Sequence, residues 1–200
     1  MNLRVLAFSL LIVLGGWQGW RDWRLRPVHP RDGMIAPDEP QQVDIVTDAR
    51  GIHGRWTLTP RARYDITARI LSREDYSFDK LSDLVPEDLA LGWGPMSDNQ
   101  ILRSFKISQG ARFYAWQAST ELPIPVQQVI DHSANTHVIP VSSHVRSQLA
   151  SLRVGQVVHL VGILVDGVSS DGTFFHTSLS REDSGPGACE VMLVESIAVE

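Results

Sequence analysis

Cysteine is all but missing from this 200-residue chain: Cys189 stands alone. A single thiol excludes an intramolecular disulfide, so packing must hold the fold together. Lysine is nearly as scarce. Lys80 and Lys106 face 16 arginines, a skew to which no function attaches. No internal repeat and no low-complexity tract occurs. No motif of catalytic or cofactor-binding chemistry occurs either, so the sequence by itself assigns no activity, no metal and no cofactor.

The N-terminal apolar run lacks an Ala-x-Ala cleavage site, and Gly15-Gly16-Trp17 is a poor substitute. No cysteine follows the run to accept a lipid. What is present is Arg4, then apolar sequence from Val5 to Gly16, then Trp17, Trp20 and Trp23 interleaved with Arg21, Arg24 and Arg26. A basic start and an apolar middle are how export signals begin. As a helix, residues 5–20 span about 24 Å at 1.5 Å per residue. That is short of the roughly 30 Å hydrocarbon core, but flanking groups can make up the difference. Indole rings favour the headgroup level, and arginine can snorkel to it. Residues 1–26 therefore read as an uncleaved single-pass anchor that meets the lipid bilayer through residues 3–26, with a cleaved signal peptide as the alternative. The count of arginines on the two flanks does not favour an N-terminus-in arrangement. The short basic tail before the run does. It leads to the expectation that the rest of the chain lies outside the cytoplasm.

Charge is unevenly placed. Residues 1–32 carry five Arg against two Asp, a net of +3, while the remaining 13 basic and 21 acidic residues give −8. An acidic main part argues against a nucleic-acid partner, since such binders show a basic surface.

Residues 27–55 read as a linker punctuated by Pro27, Pro30, Pro37 and Pro40, with a short strand over 43–46. Residues 56–200 read as one β-rich domain. Apolar and polar residues alternate over Trp56–Thr59 and Arg63–Leu71, the period-2 signal of a half-buried strand. Leu81–Leu91, interrupted by Pro86, predicts short helical turns. Two strands are expected over 100–107 and 112–117, turning at Ser108-Gln109-Gly110, with Phe105, Ile107, Phe113 and Trp116 packed inward. Residues 130–140 read as a polar stretch. Ser142–Leu152 has helical spacing, with Ser142 or Ser143 as N-cap. The last third reads as strands over 156–165, 173–179 and 189–194. Gly162 marks a bend or bulge. The expected fold is α+β, mainly β: a small curved antiparallel barrel with one or two short helices, preceded by the N-terminal membrane helix.

The stretch Leu152–Val165, LRVGQVVHLVGILV, resembles the bent first strand of oligomer-binding (OB) barrels. That resemblance covers about 14 residues. It implies an OB-like barrel of the kind that binds nucleic acids, sugars or proteins. Two further strings, Asn135–Pro140 (NTHVIP) and Ser178–Glu190 (SLSREDSGPGACE), resemble an uncharacterised group of bacterial membrane-anchored envelope proteins. That resemblance implies an envelope setting and no mechanism.

Candidate site residues come from these strings. Asn135 and Pro140 frame His137 in what reads as a turn. Ser178–Glu190 is a polar loop between strands, offering Arg181 to bind an anion, Asp183 to accept a hydrogen bond, and Cys189 and Glu190. A thiolate needs a base or a positive field near it, and His137 or His176 could supply one. The competing reading is a structural loop with Cys189 as a small buried residue. His132, His137 and His144 are spaced by five and seven, a poor fit to a metal site. Trp56, Trp93 and Trp116 read as core. The leading expectation is a membrane-anchored binding or scaffold module whose partner is another envelope protein. The alternative is an envelope hydrolase using His137 with Cys189 or Asp183.

Overall fold

One strand organises the sheet. The computed structural model describes residues 3–118 and 121–200, and its longest strand is β3, Trp56–Asp75. Its two halves read as separate strands in the sequence because Pro60 and Arg61 interrupt the alternation. Proline has no N–H for the ladder. The strand absorbs it as a bulge, and the register shifts between Pro60 and Ala62. Leu58, Ala62, Tyr64, Ile66, Ala68 and Ile70 are all buried along it.

β3 joins four further strands into a closed circuit. It pairs antiparallel with β4, Glu87–Gly92. β4 pairs antiparallel with β7, Ser133–Pro140. β7 runs parallel to β10, Glu190–Val199. β10 pairs antiparallel with β8, Val157–Ser169, and β8 returns antiparallel to β3. Each ring strand thus has two ring neighbours. The fold is mainly β, with a strongly curved sheet and few helices. Short strands β1 (Gln41–Asp44) and β2 (Gly51–His53) lie along β3, and β9 (Phe174–Phe175) lies along β8.

The interior holds Tyr64, Ile66, Ile70, Leu89, Leu91, Val138, Leu160, Leu164, Met192 and Val194. Helix α4, Ser143–Leu149, seats Val145 and Leu149 on it, and the Ser142 hydroxyl caps the helix by accepting from Val145 N at 3.2 Å. Gly162 does more than permit a bend. A Cβ there would stand 2.1 Å from the Leu193 carbonyl oxygen, so β8 and β10 meet backbone to backbone. Gly162→Ala is expected to cost about 3 kcal/mol, a fall in Tm of roughly 6–12 °C for a chain of this size. Thermal melting of the variant checks it.

Several expectations change. Residues 81–91 form turns only as far as Leu84, and β4 begins at Glu87. The polar stretch 130–140 contains the central strand β7, preceded by helix α3, Val126–Asp131. The hairpin strands are β5, Phe105–Gly110, and β6, Phe113–Ala118, so the turn falls at Ala111-Arg112 rather than 108–110. This shift leaves Phe113 exposed instead of inward. Residues 27–55 lie against the barrel: Ala36 is fully buried, Gly94 N donates to its carbonyl at 2.8 Å, and Val28 N donates to Val154 O at 2.8 Å.

The N-terminal segment is helix α1, Leu3–Arg24, with Phe8, Leu11, Ile12, Val13 and Leu14 exposed along it. Among the described residues no helix is long and apolar enough to cross a membrane. The apolar run from 5 to 16 accounts for about 18 Å of helix at 1.5 Å per residue.

Candidate active site

The outer face of β4, β7 and β10 carries the densest chemistry in the molecule. Strand alternation selects who stands there. Asp88 and His137 are direct partners across β4 and β7, and His137 is level with Val191 on β10. Asn135, two residues before His137, shares its face. Cys189 comes off the loop just ahead of β10, and its Sγ lies 3.6 Å from Asn135 Nδ2.

Asp88 is fully buried, with Oδ1 2.8 Å from His137 Nδ1 and 2.9 Å from Arg112 Nη1. His137 and Cys189 line the same small cavity. Burial opposes charge on that ring. Asp88 and Cys189 more than offset it, lifting the His137 pKa to about 9. The imidazole is therefore charged at neutral pH, beside a sulfur. Gln109 Nε2 donates to Asn135 Oδ1 at 2.7 Å, which turns Asn135 Nδ2 toward the sulfur and toward Arg112 O at 3.1 Å.

Arg112 ties the β5–β6 hairpin down over this face. Ala111 and Arg112 occupy the two-residue turn with φ of 50° and 69°, a left-handed conformation that costs non-glycine residues about 1–3 kcal/mol each. The surroundings of Arg112 over-determine it. Its backbone N donates to Tyr76 Oη at 3.0 Å, and its guanidinium lies 3.7 Å over the Tyr76 ring. That guanidinium also bonds Asp79 at 2.8 and 2.9 Å and the Val85 carbonyl at 2.9 Å.

The candidate residues divide between two faces. Asn135, His137 and Cys189 converge. Glu190, one residue after Cys189, points to the opposite face and is 1% exposed. There the Arg181 guanidinium stands 3.2 Å from its carboxylate and 5.1 Å over the Tyr64 ring. Arg181 is thus paired with Glu190 rather than held free for an anion. Asp183 accepts from Ser178 Oγ at 2.7 Å and lines a cavity beside Cys189. His132 sits against Glu39 and the Gln128 carbonyl, and His144 lies on α4. Among the described residues, no group of three His, Cys, Asp or Glu side chains could hold a metal ion. Trp56 and Trp93 are core, and Trp116 packs edge-on to Phe105.

Sequence reasoning missed Asp88, Gln109 and Arg112. The one signal for Asp88 was a carboxylate opening the apolar run Leu89-Ala90-Leu91, and a helical reading of that stretch concealed its partner.

Three groups near this end of the barrel have raised pKa values. Glu190 is pushed up to about 7 and Glu87 to about 8, each by burial that a neighbouring arginine only partly offsets. With His137 at about 9, all three groups hold protons more tightly folded than unfolded. Their stabilising contribution is complete below the unfolded values and is lost as pH rises through the folded ones. Tm is therefore expected to fall steadily from pH 5 to pH 9, as melting followed by circular dichroism would show. A rise over that range would contradict these assignments.

Comparison with protein families, curated proteins and solved structures finds no match.

Proposed function

We propose that this chain is a thiol-dependent hydrolase of the bacterial envelope, held at a bilayer by its N-terminal helix and built on an OB-like barrel. The observation that carries the reading is the convergence of three side chains: Asp88 lies 2.8 Å from His137, and His137 shares a cavity wall with Cys189, which supplies a nucleophile, a proton carrier and its buried orienter. In ring order, β3, β4, β7, β10 and β8 close on themselves, β7 and β10 run parallel, and α4 lies between β7 and β8 along the chain. This arrangement favours the OB-like assignment. The basic, apolar and tryptophan-flanked helix favours a lipid surface. The −8 charge of the remainder keeps nucleic acid out of consideration.

The chemistry follows from the side chains. The Cys189 thiolate attacks a carbonyl carbon, forming an S–C bond. Asn135 Nδ2 donates to the developing oxyanion. As the bond to the leaving group breaks, His137 passes its proton to the departing atom. The neutral imidazole then takes a proton from water, which attacks the thioester and releases the acid and the Cys189 thiolate. Asp88 keeps the ring in place throughout.

The test is intact-protein mass spectrometry after brief exposure to a panel of esters, thioesters and peptides. An acyl adduct on Cys189, absent from Cys189→Ser, is expected. No adduct from any class would sink the reading. It would leave binding to another envelope protein, which the exposed Val43, Ile52 and Phe174 on the flanking strands favour. Membrane pelleting, with and without carbonate washing, tests the tether.

A further inference from the structure

Cys189 lies between two unequal chambers. The smaller, of about 180 Å³, is walled by Leu81, Val85, Phe175 and Val191, and His137 opens into it while Asn135 does not. The larger, of about 320 Å³, is walled by Tyr114 and Trp116, and Asn135 and Asp183 open into it while His137 does not. Resting on the hydrolase reading, we infer that the smaller chamber is the leaving-group pocket, and that the substrates are carbonyl compounds whose leaving group carries a short aliphatic chain.

The sidedness decides this. The departing atom must receive a proton from His137, so the leaving group lies where His137 is reached. The carbonyl oxygen must receive a hydrogen bond from Asn135, so the acyl half lies toward the other chamber. The chemistry of the walls agrees. The smaller chamber offers apolar side chains and no carboxylate, so its occupant gains by leaving water. The larger offers ring faces and the Asp183 carboxylate, which suit a bulkier and more polar acyl half. At about the 30 Å³ that one water takes in the liquid, 180 Å³ admits about six heavy atoms. That accommodates a butyl to hexyl chain or an aliphatic side chain of a peptide's departing half.

Because Cys189 is the chain's only thiol, S-alkyl thioacetates read the pocket directly. The thiolate attacks the acetyl carbonyl and displaces the alkanethiolate, which takes the proton of His137, so each rate of Cys189 acetylation reports how well one leaving chain seats in the chamber. With the full chain, the rate is expected to rise about fourfold per methylene from methyl to butyl or pentyl, and to fall beyond hexyl. Leu81→Trp fills the chamber and flattens the series. Phe175→Ala widens it and moves the optimum to longer chains. Val46→Ala, fully exposed and in neither chamber, leaves the series as it was. Equal rates from methyl to hexyl overturn the pocket, as does a series that neither Leu81→Trp nor Phe175→Ala alters. If the methyl reagent still slows on His137→Ala, the nucleophile survives that result. A methyl rate indifferent to His137 overturns the nucleophile reading and the pocket together.

Discussion

On the proposed reading, Cys189→Ser is expected to stop acyl transfer, and His137→Ala to lower it about 10³-fold, the scale of a lost proton carrier. The same pair of side chains is expected to set how fast the thiol alkylates. The neighbouring imidazole carries its charge up to about pH 9. Alkylation of Cys189 by iodoacetamide at pH 7 is therefore expected to slow about tenfold in His137→Ala, which takes away the positive field near the sulfur. Equal rates in the two proteins would mean that the ring does not activate the sulfur.

The barrel was legible because its strands carry strong local signals. Tyr64, Ile66, Ala68 and Ile70 alternate with polar residues, and the long apolar run around Gly162 admits little but a strand. Helix α4 was legible for the same reason, since Ser142, Val145 and Leu149 stand at cap and core spacing. The hairpin was not. Ser108-Gln109-Gly110 has turn composition, yet the chain turns at Ala111-Arg112 with two positive φ angles that no local preference would choose. The reason lies 24 residues back along the chain, in Asp88, whose buried carboxylate draws Arg112 down onto β4. The candidate site was legible in the same partial way. Asn135, His137 and Cys189 stood out by residue type, but alternation on β10 sends Glu190 to the opposite face from Cys189. Proximity in sequence was misleading there, and proximity across β4, β7 and β10 could be learned only from the register.

Asp88 is where the stability of the fold and the chemistry of the site separate under mutation. Asp88→Ala removes the carboxylate from between Arg112 and His137 and leaves the buried Arg112 guanidinium and the His137 ring without it. Breaking a buried pair in this way costs about 3–5 kcal/mol. Arg112 keeps Asp79 as a partner, so the lower end of that range is expected, a fall in Tm of roughly 6–12 °C. Asp88→Asn keeps the volume and an acceptor for the ring, and so should retain most of the stability while losing the charge. Burial, the influence that lowers the His137 pKa, is then opposed only by the thiol. The ring then titrates well below 9 and is largely neutral at pH 7. Titration of the His137 ring by nuclear magnetic resonance, set beside the alkylation rate at pH 6, separates the two effects. If His137 in Asp88→Asn still titrates near 9, its charge comes from elsewhere and Asp88 serves only to hold the hairpin. If the value and the alkylation rate fall together while Tm holds, the buried carboxylate is what keeps the imidazole charged and the sulfur reactive.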